Sequence, residues 1–147
     1  MSTGGARPPD YALRDEVPTL EELAVSAQLG DVRGTTSHPL FIAPFPCEVR
    51  QVSLVQWYGS VPANDRRFWA IKLWRVRAGA SADIAVKTTR RTGGEGVRAR
   101  IAWAFDQVPF GAARSLDKGD VVALAFYQTG GPPPLKRLAA TLRYSPR

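Results

Sequence analysis

Two side chains in this sequence have the types needed for a base and a nucleophile, His38 and Cys47, and each is the one residue of its kind in the chain. A hydrolytic triad needs an imidazole held against a nucleophile on a sharp turn. His38 stands beside Pro39 in what reads as a linker, and no such turn accompanies it. Cys47 lies in the apolar run Phe45-Pro46-Cys47-Glu48-Val49, where a thiol serves packing. One cysteine makes neither an intrachain disulfide nor a multi-cysteine zinc site. The carboxylates Asp65, Asp83, Glu95 and Asp106 are scattered singly, and no spacing promotes one pair for glycoside cleavage. Asp117 and Asp120 flank Gly119 in Leu116-Asp117-Lys118-Gly119-Asp120, a pattern that turn chemistry explains without calcium. Thr92-Gly93-Gly94-Glu95-Gly96 lacks the Lys-Ser/Thr of a phosphate loop and leads into a strand, so it reads as a flexible hairpin tip. The residues therefore predict a protein that is not an enzyme, with no catalytic or metal-binding residues and no cofactor.

Binding chemistry is better represented. Trp57, Tyr58, Phe68, Trp69, Trp74 and Trp103 interleave with Arg66, Arg67, Lys72, Arg75 and Arg77, the texture of a platform for single-stranded nucleic acid. The competing reading is stronger: aromatics at alternate strand positions form a core, and the cations between them form a solvated face. Arg90-Arg91 reads as a basic hairpin tip able to meet acidic protein or nucleic acid. The net charge of +7 is unevenly spread. Before Leu40 there are three arginines and six carboxylates, and from Leu40 onward 17 Lys/Arg and 7 Asp/Glu. An acidic leader is thus joined to a basic body, and the two can attract within or between subunits.

The elements that must position these residues are mostly strands. At 147 residues, with 13 Gly and 12 Pro, the chain has the size of one domain and the turn frequency of many short strands. Residues 1–38 read as an N-terminal arm. Within it Thr19 and Glu22 form a capping box, Leu20, Leu23, Ala24 and Ala27 share a helical face, and Gly30 is a stop, which predicts a short helix near 19–29. Such a helix is too short to persist without a surface to lie on. From residue 39 to 147 the period is two. Strands are expected over Leu40–Phe45, Glu48–Tyr58, Arg67–Arg77 and Ile84–Thr89, the last with Ile84, Val86 and Thr88 on one face and Lys87 on the other. The clearest is Val97–Phe105, with Arg98 and Arg100 opposite Val97, Ile101 and Trp103. Val121–Tyr127 and a closing strand through Leu138, Ala140, Leu142 and Tyr144 follow. Seven or eight strands with one apolar face each predict an all-β, two-sheet antiparallel β-sandwich, jelly-roll-like, carrying an extended N-terminal arm. No signal-peptide core or bilayer-length apolar run is present, so the expectation is a soluble protein made in a reducing cytoplasm, with no membrane partner.

Three segments resemble small β-sandwich proteins on the virions of tailed bacteriophages, of the capsid decoration (cement) or head-fibre type. They are Leu40-Phe41-Ile42-Ala43-Pro44-Phe45-Pro46-Cys47-Glu48-Val49 with Val52-Ser53-Leu54-Val55, then Leu116 to Leu124 around the Gly119-Asp120 turn, and Thr141-Leu142-Arg143-Tyr144-Ser145-Pro146. Together they cover about a third of the chain. The resemblance implies a virion structural protein, made in the host cytoplasm, that binds the major capsid protein or another virion protein as a homo-oligomer, a trimer. The arm is then expected to reach a neighbouring subunit through Leu13, Val17, Leu20, Leu23 and Val25. The alternative is a nucleic-acid- or polysaccharide-binding module, using a basic and aromatic surface that includes Arg66, Arg67, Lys72, Arg75, Arg77, Arg90 and Arg91.

Overall fold

The computed structural model describes residues 22–105 and 110–147. Nine strands are present there: β1 (Leu23–Val32), β2 (Thr36–Ile42), β3 (Cys47–Gln56), β4 (Phe68–Arg77), β5 (Ala80–Thr88), β6 (Trp103–Ala104), β7 (Ser115–Leu116), β8 (Val121–Thr129) and β9 (Leu135–Pro146). One 3-10 turn, Ala112–Arg114, precedes β7. The first sheet runs β1-β9-β3-β6, with β7 also on β3, and the second runs β2-β8-β4-β5. Every pairing is antiparallel. The expected two-sheet sandwich is the observed architecture.

Alternation builds the core. Trp69, Ile71 and Leu73 of β4 and Val122, Leu124 and Phe126 of β8 pack in one cluster with Val52 and Leu54 of β3 and Leu138, Ala140 and Leu142 of β9. None of these side chains is more than 2% exposed. Each large one contributes about 1.5–3 kcal/mol by leaving water. Cys47 belongs to the same cluster with no exposure, and burial pushes its thiol pKa up, which leaves it a packing group.

Several expectations are corrected. The helix near 19–29 is, over its described part, the strand β1. Leu23, Val25, Ala27 and Leu29 are half-buried while Ala24, Ser26 and Gln28 are exposed, a period of two. Leu23, Ala24 and Ala27 also fit a helical face, so over so short a run the partner decides. That partner is β9, paired from Leu23↔Tyr144 to Val32↔Leu135, with the Ser26 and Thr141 hydroxyls 2.9 Å apart. The sandwich therefore starts at Leu23 and not at residue 39. His38 is accordingly a β2 residue and not part of a linker; it is half-buried, with its ring edge-on to Phe126 at 5.8 Å.

Two further corrections concern strand phase. In β5, Leu73 opposes Ala85 while Trp74 opposes Asp83, so Ile84 is an extra residue. This bulge reverses the faces that follow: Val86 is 40% exposed and Lys87 only 7%. The expected strand over Val97–Phe105 shrinks to Trp103–Ala104. Val97 makes only an isolated bridge to Val61, and Arg100 takes a left-handed φ of +65°, which a continuing strand forbids. Gly96 explains the approach, since a Cβ there would lie 2.7 Å from the Val61 carbonyl oxygen. The glycine-rich segment serves close packing, not a free tip.

Candidate functional site

Four connections gather at one end of the sandwich: 33–35, 57–67, 89–102 and 130–134. They carry Arg33, Arg66, Arg67, Arg90, Arg91, Arg98 and Arg100 against Asp65 and Glu95. The opposite end, with turns 43–46, 78–79 and 117–120 and the 3-10 turn Ala112–Arg114, carries Arg114 and Lys118, and its acids Asp117 and Asp120 are paired with Arg77 and Arg147. Among the described residues, positive charge is thus denser at the first end.

The basic end is organised around Gln56, the last residue of β3, only 2% exposed. Its carbonyl accepts the Arg100 N–H at 2.8 Å. Its side-chain amide donates to the Tyr58 carbonyl at 3.1 Å, and its Oε1 accepts the Lys136 N–H at 3.0 Å. A residue buried with all these bonds made ties two loops to the start of β9. Directly after it, Trp57 and Tyr58 are 50% and 48% exposed. The Arg100 guanidinium lies 5.1 Å from the Trp57 ring centre, and that of Arg137 lies 5.0 Å from Tyr58. Arg137, like Arg100, has a left-handed backbone, φ +48°, and its N–H donates to Asp31 Oδ1 at 2.9 Å. Among the described residues no ion pair engages Arg98, Arg100, Lys136 or Arg137.

Beside this platform lies a cleft of about 470 Å³ between 60–63 and 95–103, lined by Val61, Glu95, Arg98, Ile101 and Trp103 among others. Its wall is held by the buried Lys87, whose Nζ donates to Glu95 Oε2 at 2.7 Å and to the Ala104 carbonyl, and sits 4.7 Å from the Trp103 ring centre. Asp65 ties the two longest loops by accepting the Thr92 N–H at 2.8 Å, a bond that lowers its pKa, with Arg90 at 3.6 Å. No group of three or more His, Cys, Asp or Glu side chains that could hold a metal occurs among the described residues.

A second surface is the outer face of the β2-β8-β4-β5 sheet. Register places Pro39, Ala123 and Trp74 in one row across it, Ile42, Val121 and Val76 in another, and Ala125 with Lys72 and Val86 in a third. Ala123 and Ala125 are at most 8% exposed although they point away from the core, because Trp74 and Tyr127 close over the strand between them, 6.3 Å apart. Ile42 is 66% exposed. Asp83 ends the Trp74 row, Ser81 the Val76 row and Ser37 the Ala125 row. The charged pair on the rows is Lys72 and Asp83, 3.8 Å apart, with Lys72 5.6 Å from the Tyr127 ring centre.

The seven cations expected to form one surface are divided. Arg66, Arg67, Arg90 and Arg91 lie at the basic end, and Lys72 lies on the apolar sheet face. Arg75 donates to the Ser115 carbonyl at 3.4 Å. Arg77 is clamped to Asp120 at the opposite end, with Nη2–Oδ2 at 2.7 Å. Of the six aromatics, Trp69 and Trp103 are core, while Trp57 and Tyr58 are the exposed pair. Arg100, read from sequence on the polar face of a strand, and Arg137 of β9 are the cations that meet them. Leu23 and Val25, expected to contact a neighbour, lie on β1's inward face, Val25 packing on its own core. Leu13, Val17 and Leu20 lie outside the described residues.

No model of a protein family matches the chain, and no curated protein matches it. Among solved structures, it is similar to the Gx strain of infectious bursal disease virus at TM-score 0.32 and 8% identity, over 84% of this chain and 36% of that one. A structure of the Gt strain gives TM-score 0.29 and 10% identity over 86% and 35%. The chain spans about a third of the length of those two chains.

Proposed function

We propose that the protein is a non-catalytic structural component of a virus particle, a decoration protein that binds and bridges capsid subunits. The observation that carries this reading is the apolar centre of the outer face of the four-stranded sheet. An antiparallel sheet with a solvated face ordinarily turns polar side chains outward. Here the rows through Trp74, Val76, Val121 and Ile42 instead offer an apolar centre, with Asp83 and Ser81 at their ends on the edge strand and Lys72 beside them. An apolar centre with a charged margin is the anatomy of a protein interface. The likeness of three segments to phage decoration proteins agrees with it, as does a leader whose apolar residues Leu13, Val17 and Leu20 would add contacts to the next subunit. A trimer fits this arrangement.

Cosedimentation with capsids of the virus that encodes the protein tests the reading. Trp74→Asp and Val86→Lys change half-buried and exposed side chains of the outer face, so the sandwich keeps its circular dichroism. Each is expected to weaken attachment about tenfold or more, as loss of a central interface residue does. Attachment at full strength by both folded variants overturns the proposal.

A further inference from the structure

We infer that the basic end of the sandwich is a binding site for single-stranded nucleic acid, built from Trp57, Tyr58, Arg98, Arg100, Lys136 and Arg137. It stands on residues apart from the apolar sheet face, so either reading can fail alone.

Three observations converge. Trp57 and Tyr58 are about half exposed, with ring surface available for stacking. A guanidinium lies 5.1 Å from one ring centre and 5.0 Å from the other. A guanidinium held at a ring keeps a planar fork of N–H donors, which matches phosphate oxygens. Both arginines are held in left-handed backbone that L-residues avoid, Arg100 by the Gln56 carbonyl and Arg137 by Asp31. A costly conformation repeated at the two cations that meet the two exposed rings marks a built arrangement.

The chemistry selects the ligand. Cations with no ion-pair partner among the described residues, two of them set against exposed rings, suit a chain of phosphates bearing unstacked bases. Asp31 already accepts the Arg137 N–H at Oδ1 and Arg33 at Oδ2, 3.1 Å, so the charged side chains of the patch present chiefly donors. A neutral glycan would want acceptors as well. A duplex hides its base faces from the rings. The adjoining cleft, with Ile101 and Trp103 in its wall, has room for an extruded base.

Fluorescence anisotropy of a labelled oligothymidylate about 15 nucleotides long tests this. Binding is expected at low salt and to weaken about 50-fold from roughly 50 to 200 mM, given a slope near −0.7 per phosphate and four phosphate contacts. Trp57→Ala should weaken it about tenfold. Arg100→Gln with Arg137→Gln should do at least as much, while Arg114→Gln with Lys118→Gln, the same charge loss elsewhere, should leave affinity within about twofold. Melting curves of each variant confirm that the fold is kept, and Arg100→Lys, which retains charge without the planar fork, is a milder second arm expected to lose affinity too. No binding at low salt overturns the inference. Equal loss in the two double variants, or equal affinity for duplex or for a sulfated polysaccharide, overturns it as well, because a diffuse positive charge would then suffice.

Discussion

Asp120 is the side chain on which most depends for its size. It is 4% exposed, takes two bonds from Arg77 Nε at 3.0 and 3.1 Å and one from Nη2 at 2.7 Å, and accepts the Asp117 N–H at 2.8 Å. The Arg77 hydrogen bonds hold its carboxyl below the usual carboxylate range, against burial, which pushes the other way. A depressed folded pKa means the stabilisation is complete above the ordinary aspartate value, near 3.9, and is lost as pH falls through the lower folded value. Asp120→Asn is therefore expected to cost about 2 kcal/mol at neutral pH. It should also flatten the fall in stability below about pH 4. Urea unfolding at both pH values checks this, and equal stability of variant and wild type at each would refute it. From sequence Asp120 was legible as a turn residue, but the clamp was not, since Arg77 lies 43 residues away. The same distance effect hid the ring partners: Trp57 and Tyr58 stood out as aromatics, but Arg100 and Arg137 reach them only through left-handed backbone that no residue type announces.

Among elements, β4 was readable because it alternates without a break through Leu73, β8 because it is a continuous apolar run after a turn, and β9 because it alternates from Leu138 to Leu142 between two irregularities. Trp69, Ile71 and Leu73 needed nothing but a period of two. Where an irregularity shifts the phase, the pattern misleads: the extra residue at Ile84 sends Lys87 inward, and its neighbours Val86 and Thr88 carry no sign of that. β1 was misread because its identity lies in a partner strand, with Ser26 and Thr141 115 residues apart. The β4–β5 hairpin offers a test at this level. Its two-residue turn, Ala78-Gly79, has φ of +52° and +82°. Such turns suit Asn-Gly, whereas alanine tolerates a left-handed φ poorly. Ala78→Asn is expected to stabilise the protein by about 0.5–1 kcal/mol, seen as a higher urea midpoint at unchanged slope. A lower midpoint would show that the turn is held by something other than its own backbone preference.

For the molecule as a unit, the division between leader and body falls at Leu23. Deleting residues 1–21 is expected to leave the melting temperature of the sandwich within a few degrees of its original value. Deleting residues 1–30 strips most of β1 from β9, with Leu23, Val25 and Leu29, and is expected to lower it by about 10 °C or more. Calorimetry of the two truncations decides; identical melting would mean that β1 adds nothing to the fold. The acidic leader and basic body were plain from the charge count, and the sandwich followed from strand number. What composition does not reveal is where the positive charge goes, because loops far apart in sequence meet only when the sheets stack.

Among the described residues, that stacking sets seven cations and two acids at one tip, and Arg77, Arg114, Lys118 and Arg147 with two acids at the other. Positive charge is therefore densest at one tip, and the gradient runs along the strands. In the field of a negatively charged body it is rotated before it touches, so that first collisions are made tip-on and arrive in one orientation. Physiological salt shortens the reach of that torque to about 8 Å, which makes alignment an event of the final approach.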